Sequence, residues 1–442
     1  MSPQINRRSF LNKSAAATAA ATVLPSTVFG KEGATAPGEK IRVGIIGVNG
    51  MGIANLNNVA KHPDTIITGI CDVSKARRDA QLKRFPEAKG YGDFRKMLTD
   101  DSCDAVIIAT PPHWHCIMAV EAAKAGKDIY LQKPMTLHLG ESLAVKNAVK
   151  KHKIICQVGT QIHAGQNYRR VVEKVQAGCI GEVSVAKAFN VMNQGPKGIG
   201  KGNYKDTPPE GVDWEMWCGP GPESKFNSTL FANSYNHCSW FEYTGGWTPG
   251  MAPHLVDLPV WALDLGYPTQ VQCTGGRYII DDDGDAPDTQ EMLFAYPKKT
   301  LHWTMSCINS FAYDLGRGKP ARRSGIYFFG DKATLFTNYS KHEIVPEGKF
   351  FDASIEPTEE IPSCPGHEAE WVNCIKSRKQ PSCNPDYHCK VDIPLVLGNL
   401  SMVLGRSIQF DPEKLAIVGD EEAAKKAIPE YRAPWKFPAE YL

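Results

Sequence analysis

The feature that most constrains this chain is residues 41–52, where a run of β-branched residues ends in a cluster of glycines. The run predicts a short buried strand, and helix-compatible sequence follows from Gly50 to Lys61. A strand, a glycine turn and a helix in this order form the context of a dinucleotide fingerprint, because free N–H groups at the helix N-terminus bind phosphate. The sequence therefore predicts a nucleotide-binding turn here.

Within this turn the three positions of the G-x-G-x-x-G pattern are Gly47, Asn49 and Gly52. The first glycine permits the tight turn, and the third lets the helix pack closely on the strand. Asn49 tolerates a positive φ but adds a side chain at the second position, where the adjacent Gly50 restores clearance. We predict that these four residues and Met51 contact the nucleotide.

A carboxylate stands where the fingerprint requires one. The apolar run 66–71 ends at Asp72, about 20 residues beyond the turn. A carboxylate at this place accepts hydrogen bonds from ribose hydroxyls and repels a 2′-phosphate, which favours NAD. Arg77 and Arg78 follow closely, so NADP stays open as an alternative. A tight turn without any ligand is the other interpretation, and the combination of strand, helix and Asp72 speaks against it.

Strand-like and helix-like segments alternate through residues 38–158, which predicts a Rossmann domain with a doubly wound parallel sheet. Ligands bind at the carboxyl ends of such strands. Residues 159–409 carry β-branched runs separated by long loops, with helical sequence at 254–265 and 367–376, and predict an α+β domain. We expect its sheet to be open-faced and mainly antiparallel. The charged, proline-bearing residues 410–442 predict a surface strap.

Composition excludes several classes of partner. The 442 residues include 50 basic and 48 acidic ones, so the charges nearly cancel and no nucleic-acid partner is indicated. No apolar stretch after residue 40 is long enough to span a membrane. Residues 6–13 contain a twin-arginine pair, followed by small, weakly apolar residues. We therefore predict a twin-arginine signal segment over residues 1–37 and a periplasmic mature protein.

The 13 cysteines are an odd number without a C-x-x-C pair. Because twin-arginine export carries folded proteins, we expect buried free thiols, Cys71, Cys156 and Cys179 among them, and no bridge between Cys383 and Cys389. No metal site is predicted, since the pair His113 and His115 is joined by no cysteine or acidic cluster in the sequence.

Taken together, the motifs resemble the Gfo/Idh/MocA family of nicotinamide-dependent oxidoreductases over residues 40–442. The resemblance is carried by residues 47–52, 110–115, 132–134, 159–161, 214–220 and 245–265. It is greatest to the exported bacterial branch that acts on sugars and glycosides. The resemblance implies an NAD cofactor, a sugar or glycoside substrate, and a homo-oligomer, dimer or tetramer, formed through the open sheet.

The resemblance also assigns catalytic roles. Lys133 matches the lysine that contacts the nicotinamide ribose and the reacting hydroxyl, and Gln132 stands where many members have glutamate. A desolvated lysine has its pKa lowered from about 10.4 toward neutrality, so it can take the hydroxyl proton as hydride leaves. His254 matches the histidine of an Asp-x-x-x-His pair, but Gly250 occupies the aspartate position, with Asp257 as a substitute one turn further on.

The remaining candidates come from strand ends and from an aromatic-rich stretch. Further cofactor contacts are predicted for Thr110, Pro111, His113, His115, Gln132, Lys133 and Gln161. Aromatic faces suit sugar rings and polar side chains suit hydroxyls, so the predicted substrate contacts are Tyr168, Arg169, His237, Trp240 and Asp257.

Three functions remain open at this point. The first is an NAD(P)-dependent oxidoreductase acting on a secondary hydroxyl of a sugar or glycoside. The second is an NAD-dependent glycosidase that oxidises a hydroxyl transiently and expels the aglycone by elimination. The third is a non-catalytic sugar-binding protein that keeps NAD, a reading that Gly250 encourages.

Overall fold

A computed structural model describes residues 39–311 and 323–442 of the chain. The predicted signal segment, residues 1–37, lies outside the described residues. Within the described part, none of the helices combines the length and apolar character needed to cross a bilayer. All thirteen cysteines are free, and Cys71, Cys156 and Cys179 are buried as predicted.

The N-terminal domain is the predicted parallel sheet. Six strands lie in the order β3-β2-β1-β4-β5-β6, and each neighbouring pair is parallel. The strands are β1 (Ile41–Ile46), β2 (Thr65–Cys71), β3 (Lys89–Tyr91), β4 (Ala105–Ile108), β5 (Asp128–Leu131) and β6 (Cys156–Val158). The order turns back between β1 and β4, so a crevice opens at the carboxyl ends of these two strands.

Helices cover both faces of this sheet. They are α1 (Met51–Ala60), α2 (Lys75–Leu82), α3 (Phe94–Thr99), α4 (His115–Lys124) and α5 (Leu139–His152). The side chains of Ser74 and Asp93 accept the N–H groups of Arg77 and Arg95 and so cap α2 and α3. Strands β4 and β5 are buried along their whole length, which explains why their sequences are apolar without alternation.

The C-terminal domain is built on a nine-stranded sheet in the order β15-β14-β13-β7-β12-β11-β10-β16-β17. Its strands are β7 (Val183–Val191), β10 (Gln270–Gly276), β11 (Thr289–Ala295), β12 (Thr300–Ser306), β13 (Ser324–Gly330), β14 (Ala333–Thr337), β15 (His342–Pro346), β16 (Ile408–Asp411) and β17 (Ala416–Ile417). Among the strand pairs of this sheet in the described residues, β7 and β12 alone pair in parallel. Burial alternates along β10 and β11, so one face packs on helices and the other stays open, as predicted.

Helices and a short hairpin complete this domain. The hairpin pairs β8 (Tyr204–Lys205) with β9 (Phe226–Asn227). The helices are α6 (Gln166–Gln176), α7 (Trp214–Cys218), α8 (Ser228–Ala232), α9 (Ser234–His237), α10 (Phe241–Thr244), α11 (Trp247–Ala262), α12 (His367–Ser377), α13 (Pro385–Leu404) and α14 (Glu421–Lys426). Single 3₁₀ turns occur at Pro112–Trp114, Gln161–Ala164, Gly348–Phe350 and Ala439–Tyr441.

Two helices depart from the sequence prediction. The helix expected at residues 254–265 begins earlier, at Trp247, and contains Pro253 and Pro259, which as helix breakers hid its true extent. Helix α13 was not predicted at all. It contains Pro394 and is buried on most sides, so its sequence lacks the amphipathic period by which surface helices are recognised.

The last residues of the chain run back onto the first domain. The Tyr431 hydroxyl donates to Glu141 Oε1 at 2.5 Å, and the ring of Trp435 lies 4.6 Å from that of Trp114. Tyr441 makes the last of these contacts, with its hydroxyl 2.7 Å from His152 Nε2. These contacts join the end of the chain to α5 and to the turn that follows β4.

Candidate functional site

A cavity of about 290 Å³ lies between the two domains, at the carboxyl ends of the parallel strands. We name its two sides by their origin. The nucleotide wall comes from residues 46–134 and includes Gly47, Asn49, Met51, Asp72, Arg77, Thr110, Pro111, Gln132 and Lys133. The C-terminal wall comes from residues 216–251 and includes Trp217, Phe231, Tyr235, His237, Cys238, Trp247, Gly250 and Met251.

The glycine turn of the nucleotide wall has no room for side chains at two positions. Gly47 has φ +90°, and a Cβ there would lie 2.6 Å from the carbonyl oxygen of Ala109. A Cβ on Gly52 would lie 2.1 Å from the carbonyl oxygen of Gly47. Strand, turn and helix α1 therefore approach each other as a dinucleotide site requires. Gly50 is exposed at the start of this helix, with φ +46°.

Asp72 lies beside this turn and is buried. Its carboxylate accepts the N–H of Val48 at 2.9 Å and that of Ser74 at 2.8 Å. Burial raises the pKa of Asp72, and these two N–H bonds counter part of that rise. The carboxylate thus ties the turn to the end of β2 and still reaches the cavity.

A segment of the C-terminal domain covers the glycine turn. Residues 228–237, which we name the roof segment, contain α8 and α9. The Asn49 amide donates to the carbonyl oxygen of Ala232 at 3.0 Å, and Arg77 donates to that of Phe231 at 2.6 Å. The Arg77 guanidinium also lies 3.9 Å from the centre of the Phe231 ring. The roof segment is thereby held across the nucleotide wall.

Lys133 stands where the two walls meet. Its Nζ donates to the carbonyl oxygen of Gly250 at 2.7 Å, and burial lowers its pKa, as predicted for a base. Gln132 holds the adjoining backbone: its amide donates to Asn55 Oδ1 at 2.7 Å and its Oε1 accepts the Lys133 N–H at 3.2 Å. The neutral side-chain amide of Gln132 therefore positions the backbone of Lys133.

The position next to Gly250 is occupied by a residue that the sequence did not single out. A Cβ on Gly250 would lie 3.0 Å from Cys238 Sγ, so the thiol occupies space that a larger residue at 250 would need. Burial raises the pKa of Cys238 to about 11, and Lys133 opposes that rise. The thiol is therefore neutral at neutral pH, and burial is the main cause of the lowered pKa of Lys133.

Two predicted histidines lie near the lysine in different settings. His237 lines the cavity, and burial lowers its pKa to about 3, so the imidazole is neutral. Burial also lowers the pKa of His254 well below its usual range, with Lys133 as a further cause. His254 is not among the cavity-lining residues, and its carbonyl oxygen accepts the Tyr168 hydroxyl at 3.0 Å.

His113 and His115 clamp the backbone and do not line the cavity. His115 is bonded to the carbonyl oxygens of Pro134 at 2.7 Å and Thr110 at 2.9 Å, one through each ring nitrogen. His113 Nε2 lies 2.9 Å from the carbonyl oxygen of Trp217. These bonds support the backbone around the cavity, and direct contact of His113 and His115 with the cofactor stays a prediction.

Several predicted substrate contacts are placed away from the cavity wall. Tyr168 is fully buried, and Arg169 donates to the carbonyl oxygen of Pro362 at 2.8 Å. Trp240 is buried in an aromatic cluster, and Asp257 is fully buried with polar partners of its own. Gln161 lies in the 3₁₀ turn after β6, outside the lining. None of these five residues is in the cavity lining, and their contact with a substrate or cofactor stays a prediction.

Comparison with known families decides the identity of both domains. Residues 41–160 match the model described as an oxidoreductase family with an NAD-binding Rossmann fold. Residues 165–437 match the C-terminal alpha/beta domain of the same oxidoreductase family, GFO_IDH_MocA. The chain belongs to this family. The resemblance noted in the sequence is thereby confirmed, as are NAD as the cofactor and the Rossmann fold of the first domain.

Curated relatives of this chain match over part of its length. One is the scyllo-inositol 2-dehydrogenase (NAD(+)) of Bacillus subtilis, 32% identical over 151 residues, which are 34% of this chain and 44% of the relative. Another is the alpha-N-acetylgalactosaminidase of Shewanella oneidensis, 28% identical over 203 residues, 40% of this chain and 44% of the relative. The match thus spans less than half of each relative.

Solved structures agree with the fold over most of the chain. The WlbA dehydrogenase from Bordetella pertussis, in complex with NADH and UDP-GlcNAcA, has TM-score 0.61 and 18% identity over 84% of this chain and 99% of that chain. The aldose-aldose oxidoreductase from Caulobacter crescentus, complexed with glycerol, has TM-score 0.61 and 14% identity over 84% of this chain and 100% of that one. At these identities the likeness establishes the fold.

Proposed function

We propose that this chain is an NAD-dependent oxidoreductase that acts on a secondary hydroxyl of a sugar or glycoside, with Lys133 as the base. The observation that carries the proposal is the position of Lys133, which stands where the nucleotide wall meets the C-terminal wall. The family membership supplies the cofactor, and the names of the relatives support the substrate class.

The residues present fit a nicotinamide nucleotide. The glycine turn leaves the close approach that a pyrophosphate needs, and Asp72 borders the same cavity with a carboxylate suited to ribose hydroxyls. When bound, NAD supplies the hydride acceptor. Gly47, Asn49, Met51, Asp72 and Thr110 would hold it against the nucleotide wall.

The chain's own residues then divide the work on the substrate. Neutral Lys133 takes the proton of the reacting hydroxyl onto Nζ as the carbon loses its hydride, and a carbonyl group forms. The neutral imidazole of His237 is suited to hydrogen-bond a neighbouring hydroxyl. Tyr235 and Trp247, with rings 4.6 Å apart, offer an apolar surface to the C–H face of a sugar ring.

The pH dependence follows from the lowered pKa of Lys133. The base form is present above the pKa, so the rate of oxidation should fall as pH decreases through a value below the ordinary lysine range of about 10.4. Removal of the amine in Lys133→Ala should reduce turnover by about 10²–10⁴-fold. The bound nucleotide, measured by native mass spectrometry, should be retained.

Exposed Lys61 provides the control, because Lys61→Ala changes a lysine outside the cavity lining. The assay offers a panel of methyl and aryl glycosides to the purified protein and follows nicotinamide absorbance. Turnover that survives in Lys133→Ala would contradict the assignment of the base. Wild-type protein that holds no nicotinamide nucleotide and takes up none would contradict the function itself.

A second function has specific support, a glycosidase that oxidises its substrate transiently and returns the hydride after elimination. The roof segment closes over the glycine turn through Asn49 and Arg77, which favours a cofactor that stays bound through turnover. Several relatives from Shewanella are named as glycosyl hydrolase family 109 proteins, and another is named as an alpha-N-acetylgalactosaminidase. Phenol release from an aryl glycoside, without added NAD and without net reduction of the cofactor, would select this function. Net reduction of the cofactor without release of phenol would select the first function.

Location and assembly belong to the same proposal. The twin-arginine pattern in residues 6–13 supports export to the periplasm, where a resident cofactor would free the protein from external NAD. The open face of the nine-stranded sheet supports a homo-oligomer. Cell fractionation of a strain carrying Arg7→Lys and Arg8→Lys tests the first statement, and light scattering of the purified protein tests the second.

A further inference from the structure

Three side chains that are remote in sequence meet in the interior of the C-terminal domain. His163 lies in the 3₁₀ turn after β6, Asp257 lies in α11, and Cys383 lies two residues before the start of α13. One donor atom from each, an imidazole nitrogen, a carboxylate oxygen and a thiol sulfur, lies within 4.8 Å of the other two. All three residues are buried, with exposed fractions of 2%, 0% and 0%.

The carboxylate of this cluster has two hydrogen-bonding partners in the described residues. His163 Nδ1 lies 2.9 Å from Asp257 Oδ2, and the Tyr387 hydroxyl donates to Asp257 Oδ1 at 2.7 Å. Within the same residues no lysine or arginine is paired with Asp257. A carboxylate removed from water is costly unless a compensating charge lies close by. The histidine is therefore the sole side chain paired with it that could carry a positive charge.

Neighbouring rings hold the histidine in one orientation. The indole of Trp261 is stacked on the His163 imidazole with centroids 4.1 Å apart and an interplanar angle of 16°. The Tyr387 ring meets the same imidazole edge-on at 5.2 Å. A ring fixed in this way loses little conformational freedom when it binds a metal ion. Supporting residues around metal-binding histidines create the same condition.

We propose that His163, Asp257 and Cys383 bind one divalent transition-metal ion with the preferences of zinc. Imidazole, carboxylate and thiolate are the donor types that zinc takes in proteins. The charges balance: a carboxylate and a thiolate supply two negative charges, the imidazole is neutral, and the ion supplies two positive ones. Binding breaks the S–H bond of Cys383, forms a metal–sulfur bond, and releases the proton to solvent.

The site is structural rather than catalytic. None of its three residues lines the cavity between the domains, so a bound ion would not reach a substrate there. It would instead join the turn after β6, helix α11 and the start of α13. Helix α11 carries both Gly250, the acceptor for Lys133, and His254, and the ion would therefore anchor the helix that supports the C-terminal wall.

The first test measures metal in the full protein as purified without chelator. Inductively coupled plasma mass spectrometry should find close to one zinc per chain in the wild type, and Cys383→Ser and His163→Gln should lose it. Cys389→Ser is the matched control, because Cys389 is another fully buried thiol nearby in α13 and its Sγ faces the carbonyl oxygen of Ser142. This control should keep its metal.

The second test needs no folded variant. The wild-type protein, stripped with a chelator and refilled with Co²⁺, should gain the near-ultraviolet absorption of a thiolate–cobalt bond, and Zn²⁺ should raise the melting temperature of the stripped protein. A wild-type protein that holds no metal, shows no such absorption and melts unchanged with Zn²⁺ would overturn the proposal. Metal retained at full stoichiometry in Cys383→Ser would overturn the ligand assignment. Neither measurement uses NAD or turnover.

Discussion

The two walls of the cavity are held in place by different means. The nucleotide wall depends on backbone packing, since Gly47 and Gly52 lie against carbonyl oxygens with no space for a Cβ. The C-terminal wall is bonded to a carboxylate in residues 281–288, which we name the acidic loop. Asp285 accepts the N–H of Phe241 at 2.7 Å and so contacts the wall, and Asp288 accepts three backbone N–H groups of residues 278–280 and so holds the acidic loop itself.

The two walls should therefore respond differently to amino-acid substitution and to pH. A wall made of close backbone contacts tolerates almost no substitution, because the contacts cannot be rearranged side chain by side chain. A wall held by carboxylates can be altered locally, but it responds to protonation of those carboxylates. We therefore expect substitutions in the nucleotide wall to be poorly tolerated and substitutions in the C-terminal wall to have smaller, local effects. The following variants test that contrast.

The largest effect is expected for Gly52→Ala. The new Cβ would lie 2.1 Å from the Gly47 carbonyl oxygen, so α1 and the turn must separate and the phosphate-binding N–H groups must move. We expect NAD affinity to fall at least about tenfold, a loss of about 1.4 kcal/mol or more. Isothermal titration of the nucleotide-free protein measures it. Gly266→Ala is the control, since a Cβ there meets nothing within 4 Å; equal affinities for the two variants would contradict the contrast.

The acidic loop provides the second test. Asp288 Oδ2 accepts the N–H groups of Tyr278, Ile279 and Ile280 at 3.0, 2.8 and 2.9 Å. Asp288→Asn weakens these charge-assisted bonds and should lower the free energy of unfolding by about 1–3 kcal/mol. Urea denaturation measures the change. Asp281→Asn in the same loop removes a side chain that is 81% exposed and should change stability by about 0–1 kcal/mol. A reversed order would mean that Asp288 does not stabilise the acidic loop.

Local sequence predicted the nucleotide wall well because its contacts are local. Strand β1 (Ile41–Ile46) lies directly before the glycine turn, as predicted, and Gly47, Asp72 and Lys133 all line the cavity. The C-terminal wall was predicted poorly, since Cys238 lies beside Gly250 only through folding and no spacing in the sequence indicates that contact.

The same limit explains other gaps. The pairing of Arg77 with Phe231 and the cluster of His163, Asp257 and Cys383 join residues that are far apart in the chain. Burial also hid helix α13, because an interior helix shows no polar face. Sequence patterns therefore indicate sites formed by one continuous stretch of backbone. They do not indicate sites formed by side chains that are distant in the sequence.

The third test uses pH. Burial raises the pKa of Asp288, but its three N–H bonds outweigh that effect and the net pKa is lowered; Asp283 behaves alike, with Asn203 and Gly202 as donors. A lowered folded pKa contributes stability that is present above the unfolded value of about 3.9 and is lost as pH falls through the folded value. Melting temperature should therefore decrease on acidification, and less steeply in Asp288→Asn. If the melting temperature of that variant depends on pH as steeply as that of the wild type, Asp288 is excluded as a cause of the pH dependence.

The smallest effect is expected at the junction of the walls. In Gly250→Ala the new Cβ would lie 3.0 Å from Cys238 Sγ, the end of a side chain that can shift, so we expect a cost of about 1 kcal/mol in unfolding free energy. Cys238→Ala removes the obstructing sulfur, so the double variant should recover much of this cost. A double-mutant cycle by urea denaturation measures the coupling. Additive costs would show that Cys238 and Gly250 do not share this space.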